Sequence, residues 1–335
     1  MDILTQGLLG GVLAQVVATK QDKKLATFVG VFAGLLADAD IFIYSSNDPL
    51  LNIEFHRHFT HSIFFIPLGA AIAMALLWPF LRKHIGGKAL YLYCLAGFSM
   101  SGLLDAFTSY GTHLFWPLSN ERIAWNIISI VDPIFTAILL VTLIIGLRKK
   151  DKKIAVWGLI FCAVYLSSGF IQLQRAQTVA TELALSRGHL ITKHIVKPTL
   201  ANQVLWRSVY EYNNRFYIDA IRVGYFSDNK IYQGQAIAKF VIENEFPDLN
   251  KDSLLYSDIK RFSQFSDGFI AYDVSRPNVV ADVRYSMLPD SSKPLWGIII
   301  DINKPQLHAQ YQFFRENTQA IRNTFYKMLF GEYTQ

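Results

Sequence analysis

The stretch Leu25-Ala26-Thr27-Phe28-Val29-Gly30-Val31-Phe32-Ala33-Gly34-Leu35-Leu36-Ala37-Asp38-Ala39-Asp40-Ile41-Phe42-Ile43-Tyr44 holds no Lys or Arg, and its only charges are two carboxylates near its end. A helix needs about 20 apolar residues to cross the hydrocarbon core of a bilayer, so this run reads as a transmembrane span. Runs of similar character occupy 62–81, 89–108, 127–147 and 154–173. One such run could be the buried core helix of a soluble protein, but five in succession point to a membrane. The run 7–19 is shorter and Gly-rich (Gly7, Gly10, Gly11). It spans together with its flanks, or it is re-entrant or interfacial. Counting it gives six spans. The first residues, Met1 to Gln6, carry no basic cluster, so no cleavable signal peptide is expected.

Beyond residue 173 the composition changes. Residues 174–335 carry 19 of the 32 Lys+Arg and 16 of the 26 Asp+Glu, the mixture of an ordinary soluble domain. The fold expected is therefore a multi-pass α-helical membrane domain, 1–173, followed by a soluble α+β domain, 174–335. The net charge of +6 comes largely from short basic clusters between the apolar runs. Membrane topology explains that pattern, and no nucleic-acid partner is expected. Both cysteines, Cys94 and Cys162, lie inside apolar runs, so no disulfide framework holds the soluble part.

The loops give the threading a direction. Lys20, Lys23, Lys24, Arg82, Lys83, Lys88, Arg148, Lys149, Lys150, Lys152 and Lys153 occupy one alternating set of loops, while the other set, 45–61 and 109–126, holds only Arg57 and Arg122. Basic loops stay in the cytoplasm. The poor loops and the soluble domain are then expected on the outer face.

Ionisable groups at membrane depth are costly and point to function. Here they gather at the outer ends of the runs: Asp38 and Asp40; His56, Arg57, His58 and His61; Asp105, followed by Tyr110, Thr112 and His113; and Asp132. Carboxylates and imidazoles are the ligands of Zn²⁺, Mn²⁺ and Fe sites. A mixed Asp/His set with open positions suits a metal that activates water. Asp132, before Pro133, reads first as a residue that stabilises the start of its helix. His84 sits in a basic loop, and His189, His194 and His308 show no metal-ligand spacing.

These pieces resemble the YdjM family of membrane-bound metal-dependent hydrolases. The likeness runs over residues 1 to about 147. It is carried by Met1-Asp2 with Leu4-Thr5-Gln6, then Ala37-Asp38-Ala39-Asp40, then His56-Arg57 with Thr60-His61-Ser62. It continues through Leu103-Leu104-Asp105-Ala106-Phe107-Thr108-Ser109-Tyr110-Gly111-Thr112, Trp116-Pro117 and Ile130-Val131-Asp132-Pro133. The tail looks like the extension of a longer subgroup. The resemblance implies a metal site from Asp38, Asp40, His56, His61 and Asp105. Ser101 stands where relatives often carry His, Ala37 replaces a Pro and Gln6 a His, and His58 and His113 stand where Gly and Gln are common. The loss at Ser101 removes one ligand of a two-metal arrangement, and His58 or His113 are the candidates to replace it.

In the soluble part, 174–200 reads as a helix continuing out of the membrane until Gly188 and Pro198 interrupt it. Strand-like stretches follow at 203–211, 215–225, 231–237, 268–274, 278–287 and 294–301, with turn signals such as Asn213-Asn214 between them. Residues 235–246, 254–265 and 306–330 read as helices. The sheet is expected to be mainly antiparallel. No nucleophile elbow, P-loop or Cys/His cluster is present there.

The leading expectation is a metal-dependent hydrolase at the outer face of a bacterial cytoplasmic membrane. Its cofactor would be a divalent metal, Zn first, with Mn or Fe as alternatives. The substrate would be a phosphate or acyl ester of a lipid or envelope precursor. Asp38, His56, His61 and Asp105 are the expected ligands, Asp40 a ligand or general base, and Arg57 the partner of an anionic substrate group. A non-catalytic membrane scaffold with a structural polar cluster is the alternative. An ion-coupled transporter ranks third, because it calls for polar residues at mid-span rather than at span ends.

Overall fold

Helix α1 (Ile3–Val17) starts at Asp2, whose carboxylate accepts from Thr5 N at 3.0 Å and caps the first turn. In this computed structural model, which describes residues 1–334, the chain divides into two units. The first contains Met1–Ile43, Phe55–Ile171 and Leu200–Asn202, and the second contains Tyr44–Glu54, Gln172–Thr199 and the chain from Gln203 onward.

After α1 come α2 (Lys23–Leu36), running on into a 3₁₀ segment Ala37–Phe42, then α3 (Leu51–Phe55), a 3₁₀ turn Phe59–His61, and α4 (Ile66–Leu81). Helices α5 (Gly87–Phe98) and α6 (Ser101–Ala106) follow, then α7 (Pro133–Lys149) and α8 (Lys152–Ser186). Three stretches are long and apolar enough to cross a membrane: Lys23–Phe42, Gly87–Ala106 and Lys152–Ser186. A fourth is possible if Leu51–His61 and Ile66–Leu81, bent by 93°, form one broken span. Six full-length spans are thus not seen. Helix α1 has 15 residues, about 22 Å, shorter than the hydrocarbon core. Helix α7 has 17, because it begins only at Pro133, and residues 127–132, expected within a span, are not helical.

Small residues bring these helices together. Gly10, Gly30, Gly34 and Gly97 put the backbones of α1, α2 and α5 in contact. A Cβ on Gly97 would lie 2.7 Å from Gly30 Cα, and one on Gly10 3.1 Å from Gly34 Cα. Apolar side chains gain little by leaving lipid for protein, so close backbone packing carries such interfaces. Ala26, Val29, Ala33, Leu90 and Cys94 complete this core, and large apolar side chains such as Phe28, Phe80, Trp157 and Phe161 face outward. Outward apolar side chains of this size, densest on α4 and α8, are what lipid would cover.

The second unit includes two four-stranded antiparallel sheets. Strands β1 (Lys193–Pro198), β2 (Leu205–Tyr212), β3 (Arg215–Arg222) and β4 (Lys230–Ala238) form the first. Asn213 and Asn214 both take positive φ, the two-residue turn that suits a twisted hairpin. After α9 (Ile242–Glu245) and α10 (Leu254–Phe265), the second sheet is built from β5 (Ile270–Asp273), β6 (Arg276–Asp282), β7 (Trp296–Ile299) and β8 (Gln310–Phe313). Helix α10 buries Leu255, Ile259 and Phe262 against Ile270, Val280 and Ile298. The buried Arg207 of β2 donates to the carbonyls of Val283, Pro289 and Ser291 at 2.7–2.9 Å, fixing the segment after β6. Helix α11 (Gln319–Phe330) closes the fold, with Met328 buried beside Tyr232.

Three sequence expectations shift here. The helix read over 174–200 ends at Ser186, because Gly188 turns the chain at φ +73°, and Lys193–Pro198 is an edge strand. An edge strand tolerates the terminal Pro198, which donates no ladder bond. Over 235–246, β4 runs to Ala238 and only Ile242–Glu245 is helical. The helix read over 306–330 begins only at Gln319, and β8 precedes it.

Candidate metal centre

Asp38 and Asp40 lie on the 3₁₀ segment that ends α2, and His61 lies on the short turn before α4. Asp105 lies in the last turn of α6. Gly102, one turn before Asp105, packs so closely on the His61 carbonyl that any Cβ there would overlap it. One carboxylate oxygen each of Asp38 and Asp105 and one ring nitrogen of His61 lie within 4.8 Å of one another. His61 Nε2 is 3.2 Å from Asp38 Oδ1 and 3.0 Å from Asp105 Oδ2. All three atoms are buried, and among the described residues none has a hydrogen-bond partner. Buried polar atoms normally find hydrogen-bond partners, and three that converge in this way are a candidate donor set for a cation. The donor types, two carboxylates and an imidazole, suit a divalent metal.

Asp40 lies one bond further out. Its Oδ2 accepts from Arg57 N at 2.8 Å and Thr60 Oγ1 at 2.6 Å, and its Oδ1 is 3.0 Å from His56 Nδ1. Asp40 Oδ2 and Thr60 Oγ1 are also 3.3 and 3.0 Å from His61 Nδ1, leaving Nε2 for the cluster. A carboxylate behind a ligating imidazole fixes the ring and its tautomer. Of the five residues implied as ligands, Asp38, His61 and Asp105 converge, while Asp40 and His56 form the support behind them.

Arg57 is buried, with its Nε 3.2 Å from Asp105 Oδ2 and its Nη2 donating to the Met1 carbonyl at 3.1 Å. The Met1 amino nitrogen also contacts Asp105. Tyr110 lies between the guanidinium groups of Arg57 and Arg122, at 5.0 and 4.7 Å from the ring centre. Arg57 takes φ +62°, a left-handed conformation held by Thr112 Oγ1 and His113 N, which both donate to its carbonyl. His58 and His113 pair with each other, ring centres 4.5 Å apart, beside Trp116, and are not in the converging set. Burial pushes His113 down to about 4, with Arg122 and His58 adding to the shift. Ser101 is buried next to this site, and its carbonyl accepts from Gln6 at 3.4 Å. Asp132 caps α7 through Ile134 N and Phe135 N and accepts from the Tyr165 hydroxyl at 2.8 Å.

A second Asp/His group went unnoticed in the sequence. Asp48, Asp258 and His308 of the second unit also offer atoms within 4.8 Å of one another. Arg261 already serves as their cation: it reaches Asp48 at 2.8 Å, Glu54 at 2.6 Å and Asp258 at 3.0 Å. No spacing signal could have joined positions so far apart in the chain.

A family model described as YdjM inner membrane protein matches residues 1–176. The chain is similar to the inner membrane protein YbcI of Escherichia coli (strain K12), 29% identical over 110 residues. That stretch is 31% of this chain and spans 61% of the relative's length. No solved structure matches. With the family model covering more than half of its residues, the helical half that carries the Asp/His cluster places this chain in the YdjM inner membrane protein family.

Proposed function

We propose that this protein is a membrane-bound metal-dependent hydrolase acting on a phosphate or acyl ester of a lipid-linked or envelope precursor. The observation that supports it most is the convergence of three buried donor atoms from Asp38, His61 and Asp105. Bound there, a divalent cation (Zn²⁺ first, Mn²⁺ or Fe²⁺ as alternatives) supplies Lewis acidity and an activated water at neutral pH. Asp38, His61 and Asp105 hold it. Asp40 and Thr60 orient His61. His56 keeps 23% side-chain exposure and is hydrogen-bonded to Asp40, so it is the group best placed to exchange a proton with solvent. Arg57 balances the charge of Asp105 and holds its carboxylate in place.

In this reading α1 and α7 join the longer helices as membrane segments, giving six. The basic loops lie in the cytoplasm, and the cluster and the second unit lie outside. Reporter fusions after Asp22, Ile85 and Lys150 should report cytoplasm, and a fusion at the C-terminus should report outside. An inside result at the C-terminus would overturn this placement.

One observation favours a second reading, a non-catalytic scaffold: Arg57 is spent on Asp105 and Met1 rather than left for a ligand. Metal analysis of the purified protein separates the two. The hydrolase reading expects a stoichiometric transition metal that His61→Ala and Asp105→Asn each abolish. Wild-type protein without metal, together with normal cellular function of His61→Ala, would sink it.

A further inference from the structure

The segment Tyr44–Glu54 lies, in sequence, between Asp40 and His56, yet it folds as part of the second unit. Leu50 and Ile53 are buried in the core formed with Leu255, Ile259, Phe262 and Ile298. Arg261 of α10 grips the same segment by its charges. Its Nη1 and Nη2 donate to Asp48 at 3.1 and 2.8 Å, and its Nε and Nη2 donate to Glu54 at 2.6 and 2.8 Å. Paired bonds of this kind fix orientation as well as distance. Arg261 is itself held from behind. Asp258, 1% exposed at its side chain, accepts from Arg261 Nη1 at 3.0 Å. The other Asp258 oxygen lies 2.9 Å from His308 Nδ1 and accepts from Ala309 N at 2.9 Å.

The tethers at each end are short. Tyr44 is four steps along the chain from Asp40, and His56 is two steps from Glu54. A residue adds at most about 3.6 Å, so the first tether is at most about 14 Å and the second about 7 Å. A free loop between Asp40 and His56 would sample many end-to-end distances, and pinning its middle removes most of them. We propose that Arg261 is a positioning residue for the Asp/His cluster. By holding Asp48 and Glu54 it holds the chain that joins the turn of Asp38 and Asp40 to the turn of His56 and His61. The proposal rests on the metal-centre reading for its consequence, but not for its mechanics.

The test uses the full-length chain in detergent, with Zn²⁺ and Co²⁺ as probes and hydrogen exchange as an independent readout. Arg261→Gln removes the clamp from one side. Asp48→Asn combined with Glu54→Gln removes it from the other without disturbing α10, and it decides the matter if Arg261→Gln fails to fold. Both variants should raise exchange in peptides covering 44–54 and 56–62. Both should weaken Zn²⁺ binding by about tenfold or more, the effect typical of losing support behind metal ligands, and both should alter the visible spectrum of the Co²⁺ form. Arg261→Lys, which engages one carboxylate at a time, should restore part of the affinity. Faster exchange confined to 44–54 with unchanged Zn²⁺ affinity, or no change in exchange at all, would refute the proposal. A wild type that binds no Zn²⁺ would fail the metal-centre reading alone, and exchange in 56–62 would still decide whether Arg261 positions that turn.

Discussion

Replacing Asp40 by Asn separates a ligand from its support. As a direct ligand, Asp40 would take metal binding with it when neutralised. As the support behind His56 and His61, it should weaken binding without abolishing it. Its carboxylate makes three hydrogen bonds, to Arg57 N, Thr60 Oγ1 and His56 Nδ1, at 2.8, 2.6 and 3.0 Å, and lies 3.3 Å from His61 Nδ1. The amide oxygen of Asn can keep the first two as neutral bonds, while its NH₂ faces His56 and forces the other tautomer. Charge-assisted bonds are about twice as strong as neutral ones, which are worth about 1 kcal/mol each. The loss is therefore about 2 kcal/mol in the ordering of His61, or roughly thirtyfold in metal affinity. Competition titration of Zn²⁺ against a chromogenic chelator reads this directly, with His61→Ala and Asp105→Asn as the variants that abolish binding. Complete loss of binding in Asp40→Asn would make Asp40 a direct ligand, and unchanged affinity would refute the supporting role.

Asp132→Ala removes the α7 cap and leaves the Tyr165 hydroxyl without its carboxylate. The loss should be about 2 kcal/mol of stability with metal content unchanged, seen as a lower midpoint of thermal unfolding in detergent. Gly30→Val inserts a side chain where α1, α2 and α5 touch through their backbones. The cost should exceed about 3 kcal/mol, measured as loss of monodisperse protein after extraction, and a normal yield would contradict the packing described. His194 lies outside the membrane segments, and burial pushes it down to about 4. Below its ordinary value near 6.5 the unfolded chain takes up this proton before the folded one, so the group costs stability as pH falls from 6.5 to 4. The cost is about 3 kcal/mol at most, and His194→Gln should flatten that part of the urea stability profile followed by fluorescence of the buried Trp206.

Much of the candidate site was legible because its residues carry the chemistry themselves. Asp38, His61 and Asp105 stand out as costly groups at the ends of apolar runs, and the structure brings those three together. It also distinguishes them from Asp40 and His56, a difference that depends on which oxygen faces which ring nitrogen and leaves no trace in spacing. The helical and antiparallel character was equally legible, through apolar runs and through turn residues such as Asn213 and Asn214. Strand β1 was not, because Lys193–Pro198 follows a long helix and ends in proline, which reads as a helix terminator. Strand β8 was hidden by its four residues, two of them Gln, in front of a genuine helix. The allegiance of residues 44–54 is a tertiary fact. Leu50 and Ile53 are its only local hint, and their partners lie some 200 residues onward.

The helix ends that carry the cluster have an energetic consequence. Asp38 follows the C-terminus of α2, and Asp105 sits in the last turn of α6. The peptide dipoles of a helix place negative partial charge at that end, so a carboxylate there is repelled by its own helix. Each such placement costs about 0.3–1 kcal/mol at an exposed site and more where water is scarce. Two helices thus aim the negative ends of their backbones at one small volume already occupied by carboxylates. Arg57 and the Met1 amino group offset part of that charge at Asp105, and a bound cation would offset the rest. Neutralising Asp38 should therefore cost the chain more in cation affinity than in stability, the reverse of what loss of an ordinary buried contact would do.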